Sequence, residues 1–336
     1  MDLDYHYGTI YVLARWAKFG SPNANIIATS SQLVDDNVDD NPFSDKREEE
    51  LIAQGVRVRY SCQNIWGNLT GTGNCEAWIP FHFLPGLEGE TTDEQLICKK
   101  HSVLAKKLTD RLLETTLDNS SFGFRLGVGL HVLADTWAHQ EFAGINTAVN
   151  RVQNIIFATP GAHLEETIDD FIKNHPTLGE LVQKMNPLGH LAAAHCPDLP
   201  YLWWKSSKHF TKGRKNWEEF LEASEKIFRL LQSVSCEPVT GLSERQSELL
   251  RRSFQEIPYE DIDERYQGWL RRIHQNYFEI EDFNDGDAVA EYHPGTILDD
   301  PDFCRQFYEE INDHFDWVRA ELIDFGINIL KSEPVY

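Results

Sequence analysis

Gly129-Leu130-His131-Val132-Leu133-Ala134-Asp135-Thr136-Trp137-Ala138-His139-Gln140 decides how this chain reads, because it sets His131, Asp135 and His139 at i, i+4 and i+8 of one apolar stretch. At about 100° per residue the three fall within an arc of about 80° on one helix face. Gly127, Val128 and Phe142 line the same face, so it points inward. Titratable groups on a buried face are costly unless something neutralises them, and His plus carboxylate at one-turn spacing suits a divalent metal. A plain His–Asp hydrogen bond in a core is the alternative for His131 and Asp135, and His139 on the same face weighs against it. The rise from His131 to His139 is about 12 Å, too long for one ion with ligand bonds of about 2 Å. Asp135, in the middle, is therefore expected to bridge two metals, with one His on each.

Outward from this helix the pattern stays helical. The glycines at 123, 127 and 129 mark a central helix from about Gly123 to Phe142 that packs closely on its neighbours. Another helix precedes it, from about Leu96 to Leu117. Tyr5 to Phe19 carries His6, Ile10, Leu13 and Ala17 at helical spacing, and Ser21-Pro22 starts a second helix ending near Val34. Asp35 to Glu50, with Asp35, Asp36, Asp39, Asp40 and Asp45, has no periodicity and reads as a loop. Val56, Val58 and Tyr60 alternate with Arg57 and Arg59 as in a strand, and Gly67 to Gly73 turns the chain toward Trp78-Ile79-Pro80-Phe81-His82-Phe83. Short helical segments run to about Lys184, then an irregular, His-rich stretch from Asn186 through His195-Cys196-Pro197-Asp198 leads to Tyr201, Trp203 and Trp204. Four amphipathic patterns follow, near 217–235, 243–256, 260–278 and 302–330. The expected fold is all-α, mainly helical, with a small β-hairpin excursion near 55–85 and a multi-helix metal-binding core. Residues 1–205 form that core, with 206–336 as C-terminal helices packed on it.

Composition bounds the function. The 336 residues carry 54 Asp and Glu against 31 Lys and Arg, a formal charge of −23. Such a balance argues against wrapping duplex nucleic acid or lying on an anionic bilayer, both of which need basic side chains. No apolar run approaches the ~20 residues of a transmembrane helix. The start, Met1-Asp2-Leu3-Asp4-Tyr5-His6-Tyr7, has no apolar core of a secretion signal, which predicts an amino terminus near Met1 and a cytoplasmic protein. Cys62, Cys75, Cys98, Cys196, Cys236 and Cys304 form no C-x-x-C pair and are expected as thiols; only Cys62 and Cys75, on the expected hairpin, are placed to pair. Neither a P-loop, a G-x-G-x-x-G turn nor a His-Asp dipeptide occurs.

Further candidate ligands are His6 on the inward face of the first helix, Asp35 or Asp36 at the end of the second, His82, and His195 with Asp198. The order His, Asp, His, then His-x-x-x-Asp-x-x-x-His, then a late His and carboxylate resembles the zinc-dependent phospholipase C and single-strand nuclease superfamily. The resemblance implies an all-α fold and a cluster of two or three Zn2+ ions. His82, His131, Asp135 and one of Asp35 or Asp36 would hold one ion, His139, His195 and Asp198 a second, and His6 with Asp135 a third. The spare member of the Asp35–Asp36 pair would be general base in hydrolysis of a small phosphorylated or lipid-like substrate, with Trp137, Tyr201, Trp203 and Trp204 as pocket walls. Two departures stand out. Those enzymes begin with a tryptophan whose amine ligates the third metal, whereas this chain begins with Met1. Pro197 also prevents one regular helix from carrying His195 and Asp198, and leaves His190 or Glu141 as substitutes for Asp198. The phrases Ser-Gln-Leu-Val-Asp-Asp, Ile-Pro-Phe-His-Phe-Leu-Pro-Gly and Leu-His-Val-Leu-Ala-Asp-Thr-Trp-Ala-His-Gln also resemble a family known only as a domain of unknown function, over most of residues 1–235. Metal-dependent hydrolysis is the expected activity; a non-catalytic, metal-stabilised binding protein with an unknown protein partner, or a metal enzyme of another reaction class, is the alternative.

Overall fold

The computed structural model describes residues 1–38, 50–63, 75–158, 166–167, 188–190, 193, 195–283, 292–294 and 300–330. A π-helical turn, Asp4–Thr9, runs straight into helix α1, Ile10–Trp16. Gly20 and Pro22 then start α2, Ser21–Asp36. The next helices are α3 (Cys75–Phe81), α4 (Thr92–Gln95), α5 (Val103–Leu113) and α6 (Phe122–Ala138). After the irregular middle come α7 (Asn216–Val234), α8 (Glu244–Glu256), α9 (Ile262–His274) and α10 (Pro301–Asp324). Side-chain oxygens cap several of them: Ser102 on α5, Ser243 on α8, Asp261 on α9 and Asp300 on α10.

Helix α6 is the axis. Fifteen of its residues are buried, Gly123, Phe124 and Leu126 through Ala138. At Gly127 its backbone meets that of α2, where an added Cβ would lie 2.5 Å from the Ile27 carbonyl oxygen and 2.9 Å from the Ser31 nitrogen. Only glycine permits that approach. One turn further along each helix stand His131 and Asp35, so the crossing that needs glycine also brings those two side chains together. The apolar core extends over most of the described chain, from Tyr5 and Ile10 through Leu133 and Trp137 to Phe220, Trp269 and Phe315. A smaller core of Phe83, Phe142, Tyr201 and Trp204 adjoins it.

The mainly helical class with a small β excursion stands, but the β structure lies elsewhere in the chain. Its strands are β1 (Ile156–Ala158), β2 (Glu166–Thr167), β3 (Trp203–Lys205) and β4 (Arg214–Lys215), antiparallel in the order β2-β1-β3-β4. Among the described residues of 55–85 there are only isolated bridges, Cys62 with Val38 and Pro85 with Cys98. The alternation at 56–60 has another cause: the extended segment lies on α10. Asn312 donates to the Arg57 carbonyl (2.6 Å) and the Arg59 guanidinium sits 3.4 Å over the Phe315 ring. Trp78 to Phe81, read as strand, belongs to α3. The Gly67–Gly73 turn and most of the acidic loop (39–49) lie outside the described residues. Of the short helical segments expected between Phe142 and Lys184, the described residues hold only a 3-10 turn, Ala148–Asn150, and the strands β1 and β2 in place of α-helix, while 159–165 and 168–184 lie outside them. All six cysteines are free thiols, so Cys62 and Cys75 do not pair. Among the described residues no helix is long and apolar enough to cross a membrane.

Candidate metal centre

Asp135, fully buried on α6, is the hub. Its Oδ1 lies 3.1 Å from His6 Nε2 and accepts from the Met1 ammonium at 2.7 Å. Its Oδ2 lies 3.3 Å from His82 Nδ1 and 3.4 Å from both His131 Nε2 and His139 Nδ1. Asp35 closes the other side, 3.6 Å from His82 Nδ1 and 3.8 Å from His131 Nε2. Beyond His139 is a further group, with Asp198 Oδ1 3.1 Å from His139 Nε2 and Asp198 Oδ2 3.2 Å from His190 Nε2. Three sets thus offer ligand atoms within 4.8 Å of one another: His6, Asp35 and His131; His82, His131 and Asp135; His139, His190 and Asp198.

Two tautomers are set by the backbone, and they decide what the site can hold. His82 Nε2 faces the Ser61 carbonyl at 3.0 Å, so it carries the proton and donates there. Nδ1 is then a lone pair aimed at Asp135 and Asp35. His139 Nδ1 donates to the His82 carbonyl at 2.7 Å, which leaves its Nε2 lone pair facing the Asp198 carboxylate. A lone pair against a carboxylate oxygen at such distances is repulsive unless a proton or a metal lies between. Backbone carbonyls that orient ligating histidines are the usual outer support of a metal. His6 and His131, stacked with centroids 3.8 Å apart, have no partner on Nδ1 among the described residues. The donor set fits a divalent cation of zinc's preferences: imidazoles and carboxylates in convergent groups.

The charge states agree in part: burial, with the Asp135 carboxylate next, raises Asp35 well above the usual carboxylate range, while the other groups suit a cation. Burial, then the Met1 ammonium, pushes His6 down to about 4, and burial also lowers His82 and His131. Burial alone would raise Asp135 and Asp198, but neighbouring imidazoles and the Met1 ammonium hold both well below the usual carboxylate range. Burial opposes the Met1 ammonium as well, yet Asp135, Asp198, Asp35 and Asp2 together push it up to about 12. That ammonium stands where a cation satisfies two carboxylates at once, 2.7 Å from Asp135 and 3.2 Å from Asp198.

Local structure explains these positions. His6 rides on the π-helical turn, a form frequent at functional sites. His82 follows Pro80 at the end of α3, and the Ser61 that orients it is tied to α2 by donating its hydroxyl to the Val34 carbonyl at 2.7 Å. His139 is the C-cap of α6, where buried Arg214 donates to the carbonyls of Ala138 (2.7 Å) and Trp137 (2.8 Å). Two residues on, Asn216 donates to the carbonyls of Cys196 (2.6 Å) and Leu199 (2.8 Å), which fixes the turn carrying Asp198. Residues 214 and 216 thereby hold His139 and Asp198 together.

A cavity of about 630 Å³ opens beside the centre, lined among others by Asp35, His82, His139, His190, Asp198 and Tyr292. Of the residues proposed from sequence, His6, His82, His131, Asp135, His139 and Asp198 converge. Asp35, not Asp36, joins the imidazoles: Asp36 accepts from Tyr292 Oη at 2.7 Å and from Gln32 Nε2 at 3.2 Å on the cavity wall. His195 is exposed at the cavity and His190 takes the place beside Asp198; Glu141 is exposed on the turn after α6. Among the described aromatics Trp78 and Tyr292 line the cavity, whereas Trp137, Tyr201, Trp203 and Trp204 do not. Met1, Arg214, Asn216 and Tyr292 went unread, because each acts through backbone or long-range contacts that leave no local spacing.

Fold and site together define a mainly helical protein with a buried His–Asp centre able to hold metal. The chain belongs to the family of unknown function DUF6765, whose model matches residues 1–322. No curated protein matches it, and no solved structure does.

Proposed function

We propose that this protein is a metal-dependent hydrolase of small phosphoesters, related to the zinc-dependent phospholipase C and single-strand nuclease superfamily and holding two or three zinc ions. The observation that carries the reading is the pair of preset lone pairs, on His82 Nδ1 and His139 Nε2, facing Asp135 and Asp198 beside an open cavity. His82, His131, Asp135 and Asp35 would hold one ion; His139, His190 and Asp198 a second; His6 and Asp135 a third. A bound divalent cation supplies Lewis acidity, activating water and neutralising charge on a phosphoryl oxygen. Asp36, oriented by Tyr292 on the cavity wall, is left as general base, and Trp78 and Tyr292 give the non-reacting part of the substrate an apolar wall.

The test is zinc analysis of the purified protein alongside turnover of bis(p-nitrophenyl) phosphate. Hydrolysis that a chelator removes and added zinc restores is expected. Zinc bound without ester turnover would move the reading to a metal-stabilised binding protein; absence of zinc binding would overturn it altogether.

A further inference from the structure

We infer that Arg265 is a positioning residue that holds the segment from Met1 to His6 in the metal centre, so that a helix late in the chain completes a site built mainly by its first half. The inference rests on the metal-centre reading above.

Arg265 lies in the first turn of α9 and its side chain is wholly buried. Nη1 donates to the carbonyls of Tyr259 and Glu260, both at 2.7 Å, just before that helix. These two bonds fix the guanidinium plane. Its other edge faces the chain start: Nη2 donates to Asp2 Oδ2, and Nε to Asp4 Oδ1 at 3.5 Å. Asp2 is gripped by its side chain while its carbonyl accepts from the amides of Tyr5 (2.8 Å) and His6 (2.9 Å). The residue Arg265 holds is thus the one from which the π-helical turn is hung. On one side of Asp2 that turn delivers His6 to Asp135; on the other, the Met1 nitrogen reaches Asp135 and Asp198.

Trp269, one turn along α9 from Arg265, backs the far end of the same segment. A Cβ on Gly8 would lie 3.3 Å from the Trp269 ring, so the glycine lets α9 lie flat against the turn. Arginine suits this position because its planar fork serves two carboxylates and two carbonyls simultaneously, which a lysine ammonium cannot. A merely stabilising ion pair would not need to sit on the residue that starts the ligand-bearing turn.

The experiment compares wild type with Arg265→Met and Arg265→Lys by hydrogen–deuterium exchange of residues 1–9 and by zinc titration against a competing chelator. The expected result for Arg265→Met is faster exchange confined to residues 1–9, with α6 unchanged, and zinc affinity lower by about tenfold or more, the usual effect of losing an outer support. Arg265→Lys should fall between. Should Arg265→Met fail to fold, a triple variant with Asp2→Asn, Asp4→Asn and Arg265→Met removes the buried charges together and is read identically. Unchanged exchange in residues 1–9 overturns the inference, and so does unchanged zinc affinity in a folded variant. Wild type that binds no zinc overturns the metal-centre reading instead, and the positioning role falls with it even if exchange rises.

Discussion

Replacing Gly127 by alanine should separate two helices and loosen the metal centre in the same step. An added methyl would stand 2.5 Å from the Ile27 carbonyl oxygen, 2.5 Å from Ser30 Cβ and 2.9 Å from the Ser31 nitrogen. Comfortable contact needs about 3.5 Å, so α2 and α6 must part by on the order of 1 Å. Two of the three obstacles are backbone and cannot rotate away, which puts the overpacking cost at the upper end of about 1–3 kcal/mol. Alanine recovers about 1 kcal/mol of helix propensity over glycine, leaving a net loss of about 2 kcal/mol. Gly123→Ala is the internal comparison: its methyl meets the Ile26 Cγ2 at 2.8 Å, the end of a movable side chain, so propensity and clash should nearly cancel. Because His131 and Asp35 lie one turn beyond the crossing, 3.8 Å apart, the same shift should weaken zinc binding in Gly127→Ala and leave Gly123→Ala close to wild type. Urea unfolding and chelator competition measure the two effects. Equal stability and equal zinc affinity in the two variants would refute the argument that backbone contact at Gly127 sets the site.

Other changes probe the centre more directly. Asp135→Asn keeps the shape but removes the charge facing four imidazoles; bound zinc should drop, ester hydrolysis should be lost, and the metal-free protein should lose about 3 kcal/mol as the buried Met1 ammonium loses its main partner, all readable by metal analysis and melting. His190→Ala should lower zinc content while His195→Ala leaves it unchanged, because His190, and not the exposed His195, joins His139 beside Asp198, at 3.2 Å. Chelation of wild type should lower its melting temperature, and zinc at about a hundred times its Kd should return about 2.7 kcal/mol of stability. His314, buried and donating to the Pro80 carbonyl, is pushed by burial from 6.5 down to about 4. The unfolded chain binds that proton between those two values and the folded one does not, so stability falls as pH drops from 6.5 toward 4, by about 3 kcal/mol; in His314→Gln the pH dependence of urea midpoints should flatten by that amount.

What was legible in the sequence follows periodicity. The central helix, its glycines and the His131–Asp135–His139 register could be read because helical spacing and burial act within a few residues. The four C-terminal helices were equally plain from their amphipathic patterns, and the structure adds polar caps at Ser243, Asp261 and Asp300. The β excursion was misplaced because the extended segment 56–60 packs on α10, with Val56, Val58 and Tyr60 beside Cys304 and Tyr308 and Arg59 over Phe315, and an extended chain shows strand-like alternation whether its partner is a strand or a helix. Asp35 and Asp36 are adjacent on the last turn of α2, about 100° apart, so only the crossing angle with α6 selects Asp35. His190 against His195 was undecidable for a similar reason: the turn around Pro197 is set by Asn216, twenty residues from Cys196.

The formal charge of −23 takes on a local meaning at the cavity. Its described lining includes Asp2, Asp35, Asp36, Asp198 and Asp263 and no lysine or arginine. An anionic phosphoester approaching that mouth meets an acidic rim, with the Met1 ammonium and histidines as the basic groups among the described lining residues. On the proposed reading attraction comes chiefly from the metals: two or three divalent ions bring about +4 to +6 against ligand carboxylates Asp35, Asp135 and Asp198, leaving a net positive centre inside a negative rim. A long polyanion would have to lay its remaining phosphates along that rim, whereas a small ester presents its single charge only where the metals outweigh it. On that reading the acidity that argues against duplex nucleic acid would also restrict substrate size, and substrate binding, as well as turnover, should weaken when the metal is removed.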